Sequence, residues 1–123
     1  MDANSEISRV AIVGTGLIGS SWAACFLAHG LDVVATGRAP GKEDKVRHYV
    51  KAAWPALTKI GLAPGASISR LRFESDLKEA LADADLVQEN APEREPLKIK
   101  LFADIDSILP PSAIRRRVLP VSL

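Results

Sequence analysis

Residues 10–13, Val-Ala-Ile-Val, form a short apolar run with no polar alternation, the pattern of a strand buried on both faces. After the next turn, Ile18, Trp22, Cys25 and Phe26 recur at helical spacing, which predicts a helix turning that stripe to the sheet. Ala23, Ala24 and Ala28 keep this helix slim and raise its propensity, and His29-Gly30 closes it. Residues 31–36 read as a second strand. From Glu43 to Ile60, the positions Val46, Val50, Ala53, Leu57 and Ile60 share one helical face. Pro55 lies inside that pattern, so the helix is expected to end near Trp54 or kink there. Trp54 is read as a packing residue. Leu71-Arg72-Phe73 makes a short third strand, Ser75 or Asp76 caps a brief helix through Leu81, and residues 85–88 begin a fourth strand. Leu97, Leu101, Ile105 and Ile108 then mark the buried stripe of a further helix. Strands alternating with helices predict a parallel α/β sheet with right-handed crossovers.

Composition narrows the function classes. The 123 residues suffice for one domain, and a net charge of +1 gives no reason to expect nucleic acid or an anionic membrane as partner. The polar start resembles no secretory signal and no run is long enough to span a bilayer, so a cytoplasmic location is the expectation. Cys25 is the single cysteine, which rules out an internal disulfide; on its helix it reads as a small buried hydrophobe. No metal-ligand spacing and no Ser-His-Asp arrangement is present. His29 reads as a helix C-terminal residue, and His48 receives no role from spacing. The basic side of the second helix (Lys45, Arg47, His48, Lys51) reads as a solvated face or as a contact for a phosphorylated substrate arm. No catalytic residue is assigned.

The chemistry concentrates where the first strand ends. Gly14, Gly16 and Gly19 are spaced Gly-x-Gly-x-x-Gly between that strand and a helix. The first glycine permits the turn, the second lets backbone approach a pyrophosphate, and the third lets the helix lie against the sheet. Thr15, Leu17 and Ile18 complete a segment whose free N–H groups would face a diphosphate. Nicotinamide-binding units of this kind usually close the second strand with a carboxylate for the ribose hydroxyls. Here Gly37 and then Arg38 stand at that place. Arg38 is either a 2′-phosphate contact, favouring NADP over NAD, or a solvated loop residue. Residues 89–93, Glu-Asn-Ala-Pro-Glu, follow the fourth strand and should lie at the carboxyl edge near the cofactor, as contacts or as capping groups.

Three passages together resemble the N-terminal half of the L-3-hydroxyacyl-CoA dehydrogenase family, including its carnitine-dehydrogenase-like and lambda-crystallin-like branches. They are residues 10–19, residues 86–93 (Leu-Val-Gln-Glu-Asn-Ala-Pro-Glu), and the helix of residues 97–108 opening Leu-Lys-Ile-Lys-Leu-Phe. The resemblance implies a Rossmann-like doubly wound parallel sheet over residues 1–114, cut short before the later strands and a helical C-terminal domain. It implies NAD as cofactor and hydride transfer to or from the 3-hydroxy group of an acyl-CoA or carnitine-like substrate. By the match, Glu93 and Lys98 fall on a glutamate and a lysine lining the cofactor site. A homodimer is compatible with the family, whose dimer interface lies mostly in the absent part.

Residues 115–123, Arg-Arg-Arg-Val-Leu-Pro-Val-Ser-Leu, depart from the pattern. The family continues there into a fifth strand and a Ser/Thr-rich segment with an active-site serine, then a domain supplying a catalytic histidine and its glutamate. Adjacent arginines are too costly for a central buried strand, and Pro120 interrupts a ladder. The tail is therefore expected to be atypical, the product of a shifted frame or a truncation, and the chain alone inactive. The alternatives are a non-catalytic nucleotide-binding or structural module, and a remnant that does not fold stably.

Overall fold

The computed structural model describes residues 8–90 and the backbone of residues 117–120. The elements are β1 (Arg9–Val13), α1 (Leu17–Ala28), β2 (Asp32–Thr36), α2 (Lys42–Ile60), β3 (Leu71–Phe73), α3 (Leu77–Leu81), β4 (Leu86–Glu89) and β5 (Arg117–Pro120), with a 3-10 turn at Ile68–Arg70 before β3. They form one parallel sheet in the order β3-β2-β1-β4-β5. The chain thus winds outward from β1 in one direction and then returns to its other side at β4, the doubly wound Rossmann-like arrangement. The β1–β4 boundary is the switch point where ligands of such sheets bind, outside the carboxyl ends of the strands.

β1 is central, and its alternate residues feed two cores. Val10 and Ile12 pack with Ala23, Ala24 and Leu27 of α1, Val46 and Val50 of α2, and Val33 and Ala35 of β2. Ala11 and Val13 face the other way, onto Ala80 and Leu81 of α3, Ala84, Val34 and Val87. Asp85 fixes the start of the sheet by accepting the N–H groups of Ser8 (2.9 Å) and Arg9 (3.1 Å) on one carboxylate oxygen. At the end of α1, the imidazole Nδ1 of His29 lies 2.8 Å from the Cys25 carbonyl, and Gly30 takes a φ of +84°. Asp76 caps α3 by accepting the Lys78 N–H at 3.0 Å. Trp54 and Leu57 pack partly buried against the first core, as expected.

Five expectations from the sequence are corrected. The fully buried, sheet-facing stripe of α1 is Gly19, Ser20, Ala23, Ala24, Leu27 and Ala28; of the expected stripe, Phe26 packs partly buried against the first core, Ile18 is half-buried, and Trp22 and Cys25 are exposed. Small residues let the helix come close; the larger ones stand to its side, where Trp22 is exposed and stacks on Phe26 with ring centroids 5.6 Å apart. Cys25 is accordingly exposed rather than buried. Of the two outcomes expected at Pro55, an end near Trp54 is not the one seen: α2 runs on to Ile60, because Pro55 and Lys51 (whose carbonyl loses its N–H partner) are both on the exposed side, where water can serve instead. Ile60, on the last turn, is 82% exposed and takes no part in the core stripe. Finally, the backbone of residues 117–120 does join the sheet, pairing Leu86↔Arg117 through Glu89↔Pro120. It is the edge strand of the described sheet, with Pro120 at its last position, where a missing ladder bond is tolerated. Arg115 and Arg116, the helix of residues 97–108, and the site expectations at Glu93 and Lys98 lie outside the described residues.

Candidate functional site

The turn between β1 and α1 gathers Gly14, Thr15, Gly16, Leu17, Ile18 and Gly19 at the carboxyl edge of the sheet. Gly14 has a φ of +92°, a conformation that L side chains rarely adopt, and its N–H donates to the Thr36 carbonyl at 3.1 Å. This bond locks the turn to the end of β2. A β-carbon on Gly19 would overlap the carbonyl oxygen of Gly14, so only glycine lets α1 start this close to the strand. Gly16 differs in kind. Its backbone is extended, with φ −71° and ψ −164°, and a β-carbon there would meet nothing within 4 Å. The protein needs no glycine at that position for its own packing. The space in front of it is open.

The helix that starts there is electrostatically bare. No side chain caps its first turn and that turn carries no acidic residue, so the first N–H groups of α1 and the positive end of its dipole are left for an anion. Leu17 is 71% exposed, Ile18 half-buried. Thr15 is almost fully buried, yet its Oγ1 has no hydrogen-bond partner. A buried hydroxyl left unpaired costs about 1–3 kcal/mol. The Thr15 carbonyl, by contrast, accepts the Ser20 hydroxyl at 3.3 Å. Thr15 Oγ1 lies on the side of β2, 3.3 Å from where a β-carbon of Gly37 would be. Gly37 is thereby placed beside the glycine turn, and Arg38 follows it as an exposed residue.

Asn90, the last described residue after β4, closes the other side of the turn. Its N–H donates to the Val13 carbonyl at 2.8 Å, and its Nδ2 lies 3.4 Å from the carbonyls of Val13 and Gln88. Its Oδ1 is buried without a partner, as is Oε1 of Gln88. Gln88 is buried in β4 as expected, and Glu89, expected in the loop after the strand, is buried in β4 as well. The sequence reading named the 89–93 segment but not Asn90 as a site residue; the signal was a polar Gln-Glu-Asn run closing an apolar strand. The histidines lie elsewhere: His29 ends α1, far from its N-terminus, and His48 is exposed on α2. A cavity of about 460 Å³ opens at the opposite, amino edge of the sheet, between Arg9, Asp32, Arg70 and Asp83, which are tied by ion pairs of 3.1–3.9 Å. It is remote from the glycine turn. Among the described residues no group of His, Cys, Asp and Glu could hold a metal, and no helix is long and apolar enough to cross a membrane.

A parallel sheet whose switch point presents a glycine turn, an open helix N-terminus and the end of β2 defines a dinucleotide-binding α/β domain. The comparisons make that more specific. The family model described as 3-hydroxyacyl-CoA dehydrogenase, NAD binding domain, matches residues 9–115, and the chain belongs to that family. L-carnitine dehydrogenase of Bacillus cereus is 54% identical over 110 residues, and that of Pseudomonas putida is 53% identical over the same length. In both cases the match covers 89% of this chain and 34% of the relative, so the chain spans about a third of the length of these proteins. Among solved structures, 3-hydroxybutyryl-CoA dehydrogenase from Escherichia coli aligns with a TM-score of 0.80 at 26% identity, covering 95% of this chain and 25% of that one. An NAD+-dependent dismutase, 5-formyl-3-hydroxy-2-methylpyridine 4-carboxylic acid 5-dehydrogenase, aligns at 0.81 and 33% identity, covering 94% and 37%.

Proposed function

We propose that this chain is the part of a 3-hydroxyacid-type dehydrogenase that binds and orients the nicotinamide cofactor, with L-carnitine or a similar 3-hydroxy compound as the substrate of the whole enzyme. The observation that carries the reading is the contrast within the glycine turn. Gly19 is required by the fold, whereas Gly16 leaves an open approach to uncapped helix amides, which suits a pyrophosphate. Gly14, Thr15, Gly16, Leu17, Ile18 and Gly19 would hold the diphosphate, Gly37 and Arg38 the adenosine end, and Asn90 with the following segment, including Glu93 and Lys98, the nicotinamide end. The bound cofactor supplies the hydride chemistry; this chain supplies orientation. The base that takes the hydroxyl proton must come from beyond the described residues, since His29 and His48 are both remote from the turn. The carnitine-type substrate is favoured over an acyl-CoA by identity to the carnitine dehydrogenases at 50% or more.

The test is complementation. The chain is mixed with the C-terminal two-thirds of the Bacillus cereus relative, and nicotinamide absorbance is followed with L-carnitine and with 3-hydroxybutyryl-CoA. Turnover with L-carnitine, absent from either part alone, is the expected result. Dinucleotide binding without turnover in any mixture would instead favour a non-catalytic module.

A further inference from the structure

The carboxyl end of β2 carries no carboxylate. It reads Thr36-Gly37-Arg38, and the acidic groups nearby are engaged or turned elsewhere. Asp32 is at the other end of the strand, 3.1 Å from Arg70. Glu74 accepts the Asp76 N–H at 3.1 Å, and Glu43 pairs with Arg47 at 2.9 Å. Asp44 lines an outer hollow of α2 together with His48 and Tyr49. Among the described residues an NAD ribose at this place would find no carboxylate to accept its 2′-hydroxyl. What surrounds Gly37 is a set of donors. Thr15 Oγ1 and the Lys42 Cγ lie 3.3 and 3.4 Å from where its β-carbon would be, and the Arg38 side chain is exposed at the rim. The first turn of α2, directly beyond, has no side-chain cap and carries Glu43 and Asp44, so the positive charge at this place comes from Arg38 and Lys42 and not from the helix end.

Resting on the dinucleotide reading above, we propose that the chain selects the 2′-phosphorylated cofactor, NADP(H), and that Arg38, Lys42 and the Thr15 hydroxyl around Gly37 form its 2′-phosphate site. Glycine at position 37 spares Thr15 Oγ1 and the Lys42 stem the crowding that a β-carbon would bring at 3.3 and 3.4 Å, and the phosphate approaches from the Arg38 rim. The guanidinium of Arg38 pairs with two phosphate oxygens, Lys42 adds a second cation, and Thr15 Oγ1 gains the partner it lacks. A dianion is thereby neutralised where an uncharged hydroxyl would leave cations and a buried hydroxyl unanswered.

The experiment is an equilibrium titration of the 123-residue chain with NADPH and NADH, read by nicotinamide fluorescence, with adenosine 2′,5′-bisphosphate and 5′-AMP as competitors. NADPH is expected to bind about tenfold tighter or more, with the bisphosphate the better competitor by a similar factor. Added salt should narrow the gap. In Arg38→Ala the NADPH/NADH affinity ratio should fall toward one, and in Gly37→Asp it should invert, both variants keeping the parent circular dichroism spectrum. Equal or tighter binding of NADH by the parent chain, or a ratio that survives Arg38→Ala, overturns the selection while leaving the dinucleotide reading standing. Binding of neither cofactor overturns both.

Discussion

Gly16 and Gly19 look alike in the sequence, and the structure separates them. A β-carbon at Gly19 collides with the Gly14 carbonyl, so Gly19→Ala should lower stability by about 1–3 kcal/mol, seen as an earlier urea midpoint. A β-carbon at Gly16 meets open space, so Gly16→Ala should change stability by less than about 1 kcal/mol, the ordinary difference between glycine and alanine at a helix start. The spacing rule located both glycines but could not tell which one serves the fold. That distinction depends on what lies opposite each Cα, and the opposing atoms come from the folded turn. Thr15 is a similar case. Its place in the motif was legible, while its buried, unpartnered hydroxyl follows from the approach of β2. Asn90 was named only as part of the 89–93 segment, because nothing in a local pattern shows that its N–H reaches across to Val13.

Among elements, the four strands from β1 to β4 were legible because their apolar runs are short and bounded by turn residues. The face of α1 was not. A hydrophobic stripe through Trp22 and Phe26 is a sound reading when burial follows hydrophobicity, but here closeness to the sheet decides, and it selects Gly19, Ala23 and Ala24. α2 shows the same limit of propensity. A proline breaks a helix only if the orphaned carbonyl cannot be served, and at Pro55 that carbonyl is on the exposed side. Pro55→Ala should therefore restore one backbone bond and raise stability by about 1–3 kcal/mol, measurable as a higher Tm. Asp76→Ala should cost about 1 kcal/mol through loss of the cap on α3, with cofactor affinity unchanged because α3 lies on the opposite face of the sheet from α1.

At the scale of the molecule, fold class and family membership were both readable from three passages of sequence. The tail was harder. Pro120 and the run of arginines argued against a strand, and that argument holds for the centre of a sheet, whereas residues 117–120 sit on its described edge. The relatives are about three times the length of this chain, and the proposed function puts the catalytic base in the part they carry beyond the match. That division of labour predicts cofactor binding without turnover by the chain alone, and turnover only with the complementary part.

The claim on which the rest depends is that the open backbone at Gly16 receives the cofactor's pyrophosphate. Calorimetric titration of the parent chain and of Gly16→Ala with NADPH, alongside urea denaturation of both, tests it most directly. Saturable binding by the parent, weakened about tenfold or more in a variant of nearly unchanged stability, is the predicted result. Equal affinity in the two proteins would place the ligand elsewhere and contradict it.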